Sequence, residues 1–232
     1  MRIPVTLLLT AACAACTSMP VSTASRPDAY YANTSTSDRE GSLFAGDAAT
    51  LSDEAINRIL EYDYSPPALN RVALMPFGRE IWSQWSEELS LASQEMQAAV
   101  IDTLRASPRV YDASYLPSIL IPENRTVPHL REAAARYQAD LLVVYRSFCQ
   151  SFERYRIFSA DKSRAFCGVE AVLLDTRTGL VPFTSVATHS YDVEKSDADM
   201  NFRETILRAQ LEATATALGQ VSGEIARFLA SN

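Results

Sequence analysis

Few side chains in this chain of 232 residues could do covalent or metal chemistry: four cysteines, two histidines and a scatter of carboxylates. His129 and His189 stand far apart, and neither has a His, Cys or acid neighbour at metal-ligand spacing. Glu87, Glu88 and Glu153 have the chemistry of a general acid or base, but surface solvation accounts for them more simply. There is no Gly-x-Ser-x-Gly, no glycine-rich phosphate loop and no His-Glu-x-x-His. With 7 glycines in all, a cradle of backbone amides is hard to build. The expectation is a non-enzymatic protein with no metal and no diffusible cofactor. That leaves the cysteines, which fall into two pairs: Cys13 with Cys16, and Cys149 with Cys167.

The first pair closes an apolar run. Met1-Arg2 supplies one positive charge, Ile3 to Ala15 is apolar, and a polar stretch begins at Thr17. These are the parts of a secretory signal peptide, and the run is shorter than the roughly 20 residues a membrane span needs. Ala14-Ala15 leads directly into Cys16, and Ala11-Ala12 into Cys13. Both resemble a lipobox, the site at which bacterial lipoproteins are cut and their cysteine acylated. Cutting before Cys13 leaves a very short leader, so Cys16 is the preferred lipidation site, with Cys13 as the alternative. A redox or metal-binding Cys-x-x-Cys is the rival reading, but it lacks both a second ligand pair and a βαβ setting. Acylation implies a covalent diacylglycerol and N-acyl lipid on Cys16, and such multiple chains hold a protein durably on a bilayer. Thr17, in place of an Asp, points to the periplasmic face of the outer membrane.

Composition agrees with a folded body on an anchor. Hydrophobic residues make up 47% of the chain, and the formal net charge of −7 argues against a phosphate-backbone binder, so no nucleic acid is expected. From Cys16 to about residue 50 the chain is rich in Ser, Thr, Ala and Asp and cannot bury enough surface to offset its ordering entropy. The expected organisation is therefore a signal peptide over 1–15, a lipidated cysteine and flexible tether over 16–50, and a periplasmic globular α/β domain over 51–232.

Within that domain, Ser52 caps a short helix with Ile56, Ile59 and Leu60 on one face. "RVALMPF" from Arg71 reads as a buried strand. Trp82, Trp85, Leu89, Met96, Val100 and Leu104 then fall near one stripe at helical spacing, and Pro108 stops that helix. The two tryptophans are either an aromatic lip for a partner or core rings. "RVYDASYLPSILIP" gives a short strand and a loop, and Thr126 with Pro128 opens a helix burying Leu130, Ala134 and Tyr137. "ADLLVVYRSF" is the central strand. "VEAVLLD" and "VPFTSVATHSY" are two more, joined by "TRTG" with Gly179 at positive φ. A long helix runs from about Met200 to Leu229, where Gly219 and Gly223 either break it or permit close approach.

Cys149 and Cys167, in an oxidising compartment, are expected to form a disulfide. A tight turn at Ser159 to Arg164 would set Cys149 opposite about residue 173, so the bridge implies that residues 150–166 bulge out as a loop. That stretch mixes Phe152, Tyr155 and Phe158 with Arg154, Arg156, Lys162 and Arg164. It is either a docking surface for an acidic protein, glycan or headgroup, or a stretch with its aromatics tucked under and its arginines solvated. Trp82, Trp85, Arg154, Tyr155, Arg156 and Arg164 are thus the candidate partner-binding residues.

"RVALMPF", "AARYQADLLVVYRS" and "VEAVLLDTRTGLVPFTSVATHSY" together resemble the CsgG-like fold, over about residues 71 to 193. That group includes the curli secretion lipoprotein CsgG, the penicillin-binding-protein activator LpoB and the N-terminal domain of TolB. Its most specific elements here are Ala139-Asp140 and the turn from Asp175 to Gly179. The resemblance implies a single α+β domain with a mixed, mostly antiparallel sheet flanked by helices, to which the long C-terminal helix is added, and no catalytic residues. A secretion channel needs four long alternating membrane strands, which the sequence does not show. An LpoB-like anchor, tether and head leaves no segment over. The expected function is binding a partner protein in cell-envelope biogenesis, such as a cell-wall synthase. The alternative is a subunit of an oligomeric envelope transport or secretion complex.

Overall fold

The computed structural model describes residues 42–44, 51–78, 86–154, 161–197, 199 and 201–231, together with the backbone of 31–36. Its elements run β1 (Tyr31–Thr36), α1 (Asp53–Leu60), β2 (Asn70–Pro76), α2 (Glu87–Arg105), β3 (Val110–Tyr115), a 3-10 turn (Ser118–Leu120), α3 (Val127–Arg136), β4 (Leu141–Arg154), β5 (Lys162–Asp175), β6 (Phe183–Glu194) and α4 (Phe202–Ser231). The strands form one mixed sheet in the order β3-β2-β4-β5-β6, with β1 beside β4. β2 is parallel to β3 and β4, whereas β4-β5, β5-β6 and β1-β4 are antiparallel. The α+β, single-sheet architecture expected from the sequence is the one observed.

Alternation along the strands divides the core. Val72, Leu74, Leu141, Val143, Tyr145, Val169, Ala171 and Leu173 face α2 and α4. α2 contributes the stripe Leu89, Met96, Val100 and Leu104 at helical spacing, each worth about 1.5–3 kcal/mol when buried. The opposite face, with Ala73, Met75, Leu142, Val144 and Leu174, packs against Leu130, Ala133 and Ala134 of α3. α3 ends as Gln138 takes a left-handed φ of 59°. The amides of Gln138 and Ala139 return to the carbonyls of Ala135 and Ala134, which turns the chain into β4.

Three expectations need correcting. The tether read over 16–50 is interrupted by β1, which pairs with residues 149–153 of β4. β2 pairs with β4 only as far as Tyr145, so the far half of β4 would otherwise present a bare edge. Leu43 is also held: its carbonyl accepts the Val127 amide at 3.0 Å. Second, residues 150–154 and 162–166 are not a bulged loop but continuous strand, in register from Leu141↔Asp175 to Arg154↔Lys162. Third, Gly219 and Gly223 neither break α4 nor mediate an approach, since a Cβ at either would meet nothing within 4 Å. The apolar face of α1 finds no cover among the described residues, and Ile56, Ile59 and Leu60 stay exposed.

Candidate functional site

α3 covers only one end of its sheet face. Toward the far end of β4, β5 and β6, the side chains on that face are Arg146, Phe148, Gln150 and Phe152; then Arg164, Phe166, Gly168, Glu170 and Val172; then Thr184, Val186, Thr188, Ser190 and Asp192. No helix among the described residues lies over them, and Val186 and Phe166 are 64% and 46% exposed. Where this bare face meets α3's end there is a cavity of about 390 Å³, lined by Leu43, Phe44, Phe77, Val144, Val172 and Val186. Its floor carries Arg146 and Glu170, directly opposed across the β4–β5 ladder, with Arg146 Nε donating to Glu170 Oε1 at 2.6 Å. A carboxylate held by a guanidinium between valines makes a fixed dipole in an apolar cleft. Such an arrangement suits recognition of shape and charge.

Further out, Phe148 lies opposite Gly168, and its ring occupies the space a side chain there would need: a Cβ on Gly168 would sit 2.3 Å from Phe148 Cζ. The aromatic shields the glycine backbone across the strand pair. Beyond it the basic residues of the hairpin meet acids of β6. Arg164 grips Asp192 through Nε and Nη2 at 2.7 and 3.0 Å, and Lys162 pairs with Glu194. The stretch that reads as a basic patch is therefore half of a charge-matched ladder, a feature invisible without the β5–β6 register. Arg154 and Arg164 come together on one face of the hairpin end, on positions adjacent to Lys162 and Phe152. Trp82, Trp85, Tyr155 and Arg156 lie outside the described residues, as do Cys13 and Cys16.

On the other face, α4 covers the same part of the hairpin. Cys149 and Cys167 are directly opposed and form a disulfide, 4.2 Å apart at Cα, under Ala209 and Ala213. The surroundings are polar. Gln210 donates to Ser151 Oγ at 2.7 Å, Thr214 Oγ1 lies 3.5 Å from Cys149 Sγ, and Glu153 is fully buried rather than solvated. Asp199 fixes the start of α4 by accepting from Thr205 Oγ1 at 2.9 Å, Arg208 Nη2 at 2.8 Å and the Ser196 amide at 2.7 Å. The disulfide thus ties the two strands of the hairpin to each other, and hydrogen bonds beside a small cluster of alanines hold the hairpin against α4.

A third cluster fastens the opposite end of the sheet. Asp140 accepts the Arg71 amide and pairs with Arg177, which it holds firmly protonated. Asp112 lies between Arg105 (2.8 Å) and Arg71 (3.0 Å), and their guanidiniums, Arg105's first, hold its carboxyl below the usual range. Asp175 Oδ1 accepts from the amide and hydroxyl of Thr178, and Gly179 turns at φ 77° as expected. Tyr64 donates to Asp175, and burial, followed by that carboxylate's charge, pushes its hydroxyl pKa far up. Arg131 ties α3 to this turn through the carbonyls of Thr176 and Arg177. These ties join β2, β3, α3 and the β5–β6 turn at one end of the sheet. The described residues hold no group of three His, Cys, Asp or Glu able to bind a metal, and no helix among them is long and apolar enough to cross a membrane.

No family model and no curated protein matches the chain. Solved structures are. One is a PelC dodecamer from Paraburkholderia phytofirmans, at 15% identity and TM-score 0.35, covering 72% of this chain and 93% of that one. Another is a hypothetical protein from Chlamydia trachomatis, at 12% identity and TM-score 0.42, with 71% and 100% covered. A third is a minor lipoprotein from Acinetobacter baumannii, at 9% identity and TM-score 0.34, with 70% and 91% covered. Lipoproteins are thus among the solved structures this chain is similar to. Likeness at these scores says nothing about assembly or activity here.

Proposed function

We propose that this chain is a non-enzymatic lipoprotein of the outer membrane, anchored through an acylated Cys16, whose periplasmic α+β head binds a partner protein in cell-envelope biogenesis. The observation that carries the reading is the disulfide between Cys149 and Cys167, buried beneath α4. Structural disulfides persist in oxidising compartments and are rare in the cytosol. A bridge set into a core therefore supports an exported domain, and the apolar run ending in Ala14-Ala15-Cys16 supplies both the export signal and the anchor. A binding role fits the head's cleft, which is largely apolar around the paired Arg146 and Glu170. The hairpin end with Arg154 and Arg164 is the surface assigned to the partner, and regulation of a wall synthase is the specific role favoured.

The test is mass spectrometry of the mature protein from its native envelope. The expected product begins at Cys16 and carries diacylglycerol and an N-acyl chain, and Cys16→Ser releases the head into the soluble periplasm. A mature product that is unacylated and still begins at Met1 overturns the reading. Crosslinking in intact envelopes then addresses the partner. Arg154→Ala with Arg164→Ala should abolish one adduct, and an unchanged adduct pattern removes that surface.

A further inference from the structure

Among the described residues the sheet has three strands with an open side, and two of them are guarded. β1 and β3 are 6 residues long, and each pairs through a register irregularity. β3 also carries Asp112, bridged to two arginines. Short length, irregularity and charge are the devices by which natural edges avoid pairing with another chain. β6 has none of them over most of its course. It is 12 residues long, pairs with β5 in unbroken register, and holds no proline and no formal charge from Phe183 to Tyr191. Among the described residues nothing pairs with its outer side, and Thr188 to Asp192 are exposed on both faces.

We propose that β6 is a self-association edge, through which two copies of this chain pair antiparallel about Ala187 and continue the sheet across a twofold axis. This inference stands apart from the anchoring and compartment read above. What selects a second copy as the occupant is the complementarity of β6 with itself. Pairing about Ala187 sets Thr184 opposite Ser190, Val186 opposite Thr188 and Phe183 opposite Tyr191. The paired stretch is Phe183 to Tyr191 in each copy, and Asp192 and Glu194 lie beyond the other copy's Phe183 and outside it. Neither acid meets a like charge, and both already have partners in Arg164 and Lys162. On the α4 side, Phe183 is stacked on Phe228 with ring centroids 4.7 Å apart, so each copy offers a ready apolar platform to the other's exposed Tyr191. An isologous contact of this kind closes on itself and makes a dimer, not a filament.

Sedimentation equilibrium of the full detergent-solubilised chain, under density matching, reads the state directly. The expected result is a monomer–dimer equilibrium in the micromolar range. Two double variants then test the register, both at exposed side chains of the uncovered face. Val186→Lys with Thr188→Lys sets like charges opposite one another twice and should weaken association by at least about tenfold. Val186→Lys with Thr188→Glu sets opposite charges there and should restore the dimer. Circular dichroism melts confirm that each variant is folded. Hydrogen exchange gives a second measure that needs no variant: outer-edge β6 amides should gain protection as concentration rises. A wild-type chain that stays monomeric overturns the proposal. So does a dimer that the lysine pair leaves intact, or one that the Lys/Glu pair fails to restore.

Discussion

Removing the disulfide should cost this protein stability by an amount that its position allows one to work out. Cys149 and Cys167 are separated by 18 residues, and closing a loop of that length lowers the entropy of the unfolded chain by the equivalent of about 3 kcal/mol. Replacing both by serine places two hydroxyls in a buried site, a substitution that ordinarily adds a desolvation cost. Here that cost is offset, because Thr214 Oγ1 lies 3.5 Å from one sulfur and the Gln210 carbonyl 3.4 Å from the other. The loss should therefore stay close to the loop term. For a domain of this size it corresponds to a fall in Tm of about 6–12 °C. Differential scanning calorimetry of four samples decides the matter: wild type and Cys149→Ser/Cys167→Ser, each refolded with and without dithiothreitol. Reduction should bring the wild type down to the variant and leave the variant unmoved. If reduction leaves the wild type unmoved, the thiols are not bridged, and the inference of an oxidising compartment loses its structural support.

Five further substitutions probe local packing and charge. Gly219→Ala and Gly223→Ala, in continuous helix with open space at each Cβ, should each stabilise by about 0.5–1 kcal/mol, read as a higher midpoint in guanidinium. Gly168→Ala must push the Phe148 ring off the strand and should destabilise by about 1–3 kcal/mol, whereas the same change together with Phe148→Ala should cost less than the sum of the two. Asp112 has a folded-state pKa lowered by Arg105 and Arg71, so its contribution is present above the ordinary carboxylate range and is lost as pH falls through the lowered value. The Tm gap between wild type and Asp112→Asn should accordingly be widest near neutrality and close as acid is added. A gap that widens in acid would contradict the ion-pair geometry.

Much of the fold can be read in the sequence because the relevant signals are local. Ser52 and Ser86 accept from the amides of Ala55 and Leu89, as helix-starting serines do, and the α2 stripe repeats at helical spacing. The β5–β6 turn follows from Asp175, Thr178 and Gly179 alone. Longer-range ties left no such signal. Arg131 looks like one more surface cation on α3 until β5 arrives beside it, and Arg164 and Lys162 look like free positive charge until the register brings Asp192 and Glu194 opposite.

The far half of the β4–β5 hairpin shows why such reading fails where it does. A strand announces itself by apolar residues on the face it buries. From Cys149 onward the buried face of β4 is Cys, Ser and Glu, and that of β5 begins with Ser163 and Ala165, because α4 meets them with Gln210, Thr214 and Thr205. Polar residues matched to polar residues are as buried as any leucine pair, but they carry a hydropathy that reads as loop. The cysteines held the missing information. The bridged pair is directly opposed, and strand pairing runs on past it to Arg154 and Lys162. A reading by hydropathy sets Cys149 opposite about residue 173 and makes a bulge of a cross-strand pair. Where a sheet buries polar groups, a matched pair of cysteines is the better guide to register, and hydropathy the worse.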